Sequence, residues 1–191
     1  MLFLTLLACN PETDDTADTT DTADTSDTGD TVDSTDTGVE VLPDDFEAEL
    51  GGPSGGCSDV TMYSANTGDT VALFFQSSGQ ARAACEAGTP LVSTWTLPDA
   101  AVTLRVEQGS ELASNMCDDA PMGTPEVRRT WNPTSGTLTL TLQPDPDGQC
   151  SDVSADAELV LTDVVFTADD GAGAVTAEAL TLTAHVGWLP G

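Results

Sequence analysis

Four of the five cysteines have the number and placement expected for disulfide chemistry. Cys57, Cys85, Cys117 and Cys150 all follow residue 46, and no two of them form a Cys-x-x-Cys pair. With a single histidine in 191 residues, a zinc site is not expected. An even set of cysteines is typical of disulfides in exported domains, so the sequence predicts two disulfide bonds.

An acidic loop offers oxygen ligands for a cation. Asp145, Asp147 and Asp152 surround Gly148, a partial match to the loops that alternate aspartates before a glycine and bind calcium. Pro146 interrupts the alternation and no glutamate closes the loop, so the alternative interpretation is a polar connection between two strands. Calcium is therefore a candidate cofactor, and no other cofactor is expected.

Hydrolytic chemistry would need groups from distant parts of the chain. His185, the only histidine, falls on the polar face of its predicted strand, and its own segment holds no base or nucleophile. The sequence contains no Gly-x-Ser-x-Gly turn. We therefore expect an exposed, non-catalytic histidine. A hydrolase would have to assemble dispersed carboxylates such as Asp152, Asp163 or Asp169.

Aromatic rings could provide a stacking surface for sugars. Trp95 and Trp188 fall on the apolar phase of their predicted strands and are expected in the core. Trp131 stands beside a predicted turn, so it is the candidate for an exposed ring that contacts a glycan. Phe74 lies on the polar phase of its strand, which indicates either an apolar surface patch or a strand covered on both faces.

Residues 2–8 form a short apolar segment that is followed directly by Cys9, so the segment and the cysteine end in Leu6-Leu7-Ala8-Cys9. These four residues resemble the lipobox of bacterial lipoproteins, in which the signal is cut before the cysteine and the cysteine is acylated. The resemblance implies a signal peptide over residues 1–8 and a lipidated Cys9, and two or three acyl chains hold a protein stably at a membrane. In such lipoproteins an aspartate directly after the acylated cysteine favours retention in the inner membrane. This chain has Asn10 at that position, so the resemblance implies the outer membrane. The alternative, a buried strand with a core cysteine, is disfavoured because the polar segment that follows gives it nothing to pack on.

The segment from Asp15 to Gly38 repeats Asp-Thr-x or a close variant every three residues. Residues 12–45 hold thirteen acids and no base, and large apolar residues are almost absent before Val39. Such a segment cannot bury enough surface to offset its ordering entropy. We therefore predict a disordered linker over residues 9–45. The alternatives are a cation-collecting segment and an O-glycosylated stalk.

The remaining residues, 46–191, are numerous enough for one domain with its own core. Their 20 acids and four arginines give a net charge of −16, and the chain has no lysine. This field repels nucleic acid and anionic lipid headgroups, so neither is expected as a binding partner.

Apolar and polar residues alternate through most of residues 60–188, as expected for strands with one wet face. One helix is predicted over Gln80–Glu86, ended by Gly88, and a change of phase near Ala179 indicates a bulge or a break. About seven to nine strands predict an all-β fold, specifically an antiparallel β-sandwich with two disulfides. A closed β-barrel is the alternative.

Hairpin geometry suggests the disulfide partners. Cys57 and Cys85 flank the first predicted hairpin, and Cys117 and Cys150 flank the hairpin over residues 127–142. We therefore predict the pairs Cys57–Cys85 and Cys117–Cys150 among the three possible connectivities.

Together these features predict an exported protein, lipid-anchored to the bacterial outer membrane, whose β-sandwich has a non-enzymatic role in binding or envelope structure. The expected partners are the membrane, through the anchor, and a protein or glycan at the cell surface. A calcium- or carbohydrate-binding module is the alternative function, and a hydrolase built from dispersed carboxylates is the third.

Overall fold

The structure is a computed structural model, and it describes residues 42–114, 116–118, 123–146, 150 and 153–187. The predicted signal peptide, Cys9, the acidic repeats and Trp188 lie outside the described residues.

The described chain contains two helices and eight strands. The helices are α1 (Phe46–Glu49) and α2 (Gln80–Ala87). The strands are β1 (Ser54–Cys57), β2 (Val60–Ala65), β3 (Val71–Ser77), β4 (Leu91–Thr96), β5 (Val102–Ser110), β6 (Glu126–Pro144), β7 (Ser154–Ala168) and β8 (Ala174–Gly187). Every pairing among them is antiparallel, which confirms the predicted all-β antiparallel fold.

The strands form one sheet that curls so that its two halves face each other, as in a sandwich. The main path runs β1-β2-β3-β5-β6-β7-β8, and among the described strands β4 pairs with β6 alone. β5 pairs with residues 126–131 of β6, whereas β4 pairs with residues 137–142, so β6 passes from one layer to the other. Phe75 of β3 and Trp95 of β4 meet across the core, with ring centroids 6.2 Å apart. β7 and β8 follow β6 through both layers because they stay paired with it and with each other.

A crease crosses the long strands where they pass between the layers. In β7 the buried side chains are odd-numbered before Thr162 and even-numbered after Asp163, and in β8 they switch from odd to even between Ala177 and Leu182. The register of the two strands does not shift across the switch, and Thr162 stays opposite Ala179. The predicted break near Ala179 is therefore confirmed as a bend shared by neighbouring strands, which is how strands turn from one layer to the next.

Gly136 lies at the same crease in β6, where the pairing with β7 becomes irregular around Ser135. Its φ is +118°, and a Cβ at this position would lie 2.5 Å from the Cα of Val164 and 2.7 Å from the carbonyl oxygen of Asp163. Because only glycine combines this conformation with such a close approach of two backbones, Gly136 permits the bend in β6.

The main core lies between the two layers. Trp131, Phe46, Phe75 and Phe166 are its largest fully buried side chains, and Phe46 meets Phe166 edge to face at 6.0 Å. Leu42 is also fully buried in this core.

A second, smaller cluster covers the outer face of β3. Phe74 packs there with Ala72, Leu112 and Ala113, and the guanidinium of Arg105 lies 5.2 Å from the Phe74 ring. Of the two interpretations of Phe74, the structure thus shows a strand covered on both faces.

The two disulfides are present, but the predicted partners are wrong. Cys57 is bonded to Cys117, and Cys85 is bonded to Cys150. The prediction assumed that cysteines flanking one hairpin meet. Instead, the segment after β5 folds back over the outer face of β3 and carries Cys117 to the end of β1, while α2 lies against β6 and β7 and carries Cys85 to their connection.

The predicted helix over Gln80–Glu86 is confirmed as α2. Gly88 ends it in the left-handed conformation, and its N–H donates to the carbonyls of Ala84 and Cys85. At the other end the Asp59 carboxylate accepts hydrogen bonds from the N–H groups of Gly79 and Ala81. Asp59 thereby satisfies donors that the first turn of a helix leaves without partners.

Candidate functional site

Threonines dominate the outer surface of the layer that contains β4. We call this surface the threonine face, and it consists of Thr94, Thr96, Thr137, Thr139, Thr141, Thr162, Thr181 and Thr183. Its strands lie side by side, so Thr94 is opposite Thr139, with their hydroxyl oxygens 3.4 Å apart. Threonine favours strands and keeps its hydroxyl in solvent. The pairing of β4, β6, β7 and β8 arranges these residues in three cross-strand rows: Thr96-Thr137-Thr162-Ala179, Thr94-Thr139-Val160-Thr181 and Val92-Thr141-Glu158-Thr183. The only charged side chain in the three rows is Glu158, although the domain carries a net charge of −16.

A shallow depression opens at one end of the threonine face. It has a volume of about 430 Å³ and is lined by Thr141, Gln143, Asp156, Ala157, Glu158, Thr183, Ala184 and His185. The fourth row of the face, Gln143 opposite Asp156 opposite His185, crosses it. The lining therefore offers hydroxyl, amide, imidazole and carboxylate groups for hydrogen bonds to a polar ligand.

Two of the lining residues, His185 and Asp156, form a cross-strand pair. Nδ1 of His185 lies 3.0 Å from Oδ1 of Asp156, with the His185 side chain 58% exposed and the Asp156 side chain 83% exposed. A polar contact this exposed contributes little to stability, so its effect is to orient the imidazole over the depression. The prediction that His185 is exposed is confirmed. Its partner comes from another strand, 29 residues away, and only the strand register reveals it.

The prediction that Trp131 offers an exposed ring is wrong. The side chain is fully buried, and its Nε1–H donates a 2.9 Å hydrogen bond to Oε1 of Gln108, which is itself buried. Trp131 lies before the crease, where odd-numbered residues of β6 point inward. The expected turn at residues 132–136 is absent because β6 continues through it, and this continuity places the ring in the core.

Arg129 and Asp170 form an ion pair beside the Trp131 ring. The guanidinium of Arg129 lies 6.0 Å from the indole ring and Nε of Arg129 is 2.8 Å from Oδ2 of Asp170. The backbone N–H of Ala172, together with Arg129, holds the pKa of Asp170 below its ordinary value. Asp170 thereby fixes the turn between β7 and β8, as expected for an Asp-Asp-Gly sequence.

The predicted cation site falls partly outside the described residues. Asp145 is exposed at the end of β6, while Asp147 and Asp152 lie outside the described residues. Asp163 and Asp169 are both exposed. In the described part of the chain, no three His, Cys, Asp or Glu side chains come close enough together to hold a metal ion.

Among the described acids, Glu47 of α1 is the one whose surroundings raise its pKa. Burial, and then the negative charges of Glu178 and Asp45, raise the pKa of Glu47. Its Oε2 is shielded from solvent and has no hydrogen-bond partner among the described residues. The folded state therefore binds a proton at Glu47 more tightly than the unfolded chain does.

We expect Glu47→Gln to stabilise the domain at neutral pH. The raised pKa means that folding stability is lost as pH rises above the ordinary carboxyl pKa toward the raised one. The amide removes this loss, and solvent screening of the partly exposed group limits the gain to about 0.5 kcal/mol at pH 7. Urea unfolding at several pH values should show the gain at pH 7 and its disappearance in acid. Glu49→Gln, the same charge change on an exposed residue of α1, is the control, and an equal gain there would contradict the explanation.

Neither helix in the described part of the chain combines the length and apolar character needed to cross a membrane. Comparison of the chain with known protein families, curated proteins and solved structures finds no match.

Proposed function

We propose that the chain is an exported lipoprotein, anchored through an acylated Cys9, whose β domain has a binding or structural role in the cell envelope. The cysteine pairing carries this proposal. Two disulfides engage all four cysteines of the domain, so the chain has no further cysteine with which Cys9 could pair. Stable disulfides are typical of oxidising, extracytoplasmic compartments, and a lone cysteine after an apolar segment suits lipidation.

The lengths and charges of the segments support this arrangement. Each acyl chain contributes about 0.8 kcal/mol per buried methylene, so two or three chains retain the protein at a membrane. An extended chain of about 35 residues at ~3.1 Å per residue gives the acidic linker a reach of roughly 100 Å. Because the domain and the linker are both acidic, we propose that they stay away from anionic headgroups while the acyl chains stay inserted.

The threonine face supports a binding role over a catalytic one. It is an open, nearly uncharged surface, and His185 at its edge is paired with an exposed carboxylate. Catalytic acids and bases work best in sites that shift their pKa and exclude water, whereas an open hydroxyl surface suits contact with another macromolecule.

Expression of the full chain in a bacterial host tests the anchor. We expect the protein to fractionate with the outer membrane and its mature N-terminus to be Cys9 with the mass of two or three acyl chains. Cys9→Ser should release the protein from the membrane fraction without changing the unfolding of the domain. Asn10→Asp is the matched control, since it should remain acylated and move to the inner membrane. A freely soluble protein with an unmodified Cys9 would contradict the proposal.

A further inference from the structure

β4 is an edge strand without the charges, prolines or bulges that usually prevent pairing, and its contact with α2 includes a 2.7 Å hydrogen bond from the Ser93 hydroxyl to Oε1 of Gln80. Among the described residues it pairs only with β6, so its second edge presents backbone N–H and C=O groups without strand partners. Its sequence, Leu-Val-Ser-Thr-Trp-Thr, has no charge and no proline. Natural edge strands are usually blocked by lysine, proline or a bulge, because an open edge is a template for another strand.

The inner side of β4 is also incompletely covered. Leu91 and Trp95 are only half-buried, although their neighbours Leu142 and Leu138 across the β4–β6 pairing are fully buried. On the outer side Val92 is 61% exposed, the most exposed large apolar side chain of the described residues. A further strand along this edge would cover both sets of side chains.

We propose that the free edge of β4 binds an extended, basic peptide segment of a partner protein by strand addition. In this mode the backbone hydrogen bonds supply affinity and alternate side chains supply specificity. Apolar side chains at alternate positions would extend the core over Leu91 and Trp95, and the positions between them would lie beside Val92 and Thr94. This inference names a partner for the binding role proposed above.

Area and charge argue for a peptide and against a second copy of the chain. A six-residue strand is about 20 Å long, and pairing two such strands buries far less than the ~1,200 Å² of a stable protein interface. Two copies would also bring together two domains that each carry a net charge of −16. A basic peptide gains from the same field, which speeds its association and strengthens it at low salt.

The test measures binding of a defined peptide by nuclear magnetic resonance. The probe has eight residues, with valine alternating with threonine between two terminal arginines, and the protein is the full chain carrying Cys9→Ser. We expect saturable shifts of the amides of residues 91–96 at about millimolar dissociation constant, weakened by salt. Because the anchor is absent from this protein, failure of peptide binding and failure of lipidation are separate results.

Two controls make the test specific to strand addition. Successive residues of an antiparallel strand direct their N–H groups to opposite sides of the strand. Of two probes, one N-methylated at odd-numbered positions and the other at even-numbered positions, only one should therefore lose binding. Val92→Lys should weaken binding about fivefold by repelling the arginines. Val127→Lys makes the same change at the other end of β6, on a side chain 44% exposed, and should alter binding less than twofold.

Three results would overturn the proposal. They are unshifted β4 amides at several millimolar probe, equal loss of binding for both methylated probes, and concentration-dependent self-association of the protein through β4. The last result would assign the edge to a second copy of the chain.

Discussion

Reduction of the two disulfides is expected to unfold most of the domain at room temperature. Cys57–Cys117 and Cys85–Cys150 close loops with sequence separations of 60 and 65 residues. By the chain-entropy estimate each bond of this span contributes about 4 kcal/mol to the free energy of unfolding. Together they contribute up to about 8 kcal/mol, which is similar to the whole free energy of unfolding of a typical domain.

The two bonds also interlock. Cys85 lies inside the loop closed by Cys57–Cys117, and Cys117 lies inside the loop closed by Cys85–Cys150. Each bond therefore shortens the loop that the other closes, and the second bond to be removed should cost more than the first. Serine pairs at each bridge should lower the free energy of unfolding by about 2–4 kcal/mol singly, and both pairs together by more than the sum of the two single losses.

Removal of the two bonds should differ in its local effect. Cys57–Cys117 retains the segment that covers Phe74, so the double variant Cys57→Ser, Cys117→Ser should expose that ring and bind an apolar dye. Cys85–Cys150 fastens α2, whose buried side chains Ala81 and Ala84 are small, so its loss should expose less apolar surface.

Urea unfolding with and without reductant measures the effect, and a non-reducing peptide map checks the pairing. Cys9→Ser, which removes the cysteine outside the domain, is the control and should leave the free energy of unfolding unchanged. A reduced protein with the same unfolding midpoint, or a map that joins Cys57 to Cys85, would contradict this account.

The parts of the fold that depend on local periodicity could be predicted from the sequence. Alternation of apolar residues identifies the strands, Gly88 marks the end of α2, and the loss of phase near Ala179 marks the crease. Each of these signals acts within a few residues of the chain, so reading it requires no knowledge of which strands are neighbours.

The parts that depend on long-range topology could not be predicted. The pairing of Cys57 with Cys117 follows from a segment that returns over β3, and the contact of His185 with Asp156 follows from the register of β7 and β8. The burial of Trp131 follows from the continuation of β6 through an expected turn. Asn132-Pro133 and Gly136 are typical of turns, but here they serve a bend within one strand, and the sequence alone does not distinguish the two uses.

Gly136→Ala is expected to destabilise the domain by about 4 kcal/mol, the largest effect of any single substitution proposed for this protein. The φ of +118° strains every residue with a Cβ by about 1–3 kcal/mol. The added Cβ would also meet backbone atoms of Val164 and Asp163, which cannot rotate away as a side chain could. Such overpacking adds about 1–3 kcal/mol.

The effect should be transmitted along the crease and not stay local. β6 and β7 are in contact at Gly136, and β7 and β8 bend at the adjoining positions Asp163 and Ala179. Moving β6 away from β7 should therefore disturb the bend by which each of the three strands passes from one layer to the other. Amide hydrogen exchange should therefore rise in β7 and β8 as well as in β6. A response confined to residues next to Gly136 would show that the three bends are independent.

Gly171→Ala separates the two causes of the loss. Gly171 also has a positive φ, +77°, but a Cβ there would have no neighbour within 4 Å in the described part of the chain. Only the conformational cost remains, and about 1 kcal/mol is expected from urea unfolding. If Gly136→Ala cost no more than Gly171→Ala, the close approach of β6 and β7 would not be a requirement of the fold, and the sheet could bend without a glycine at that point.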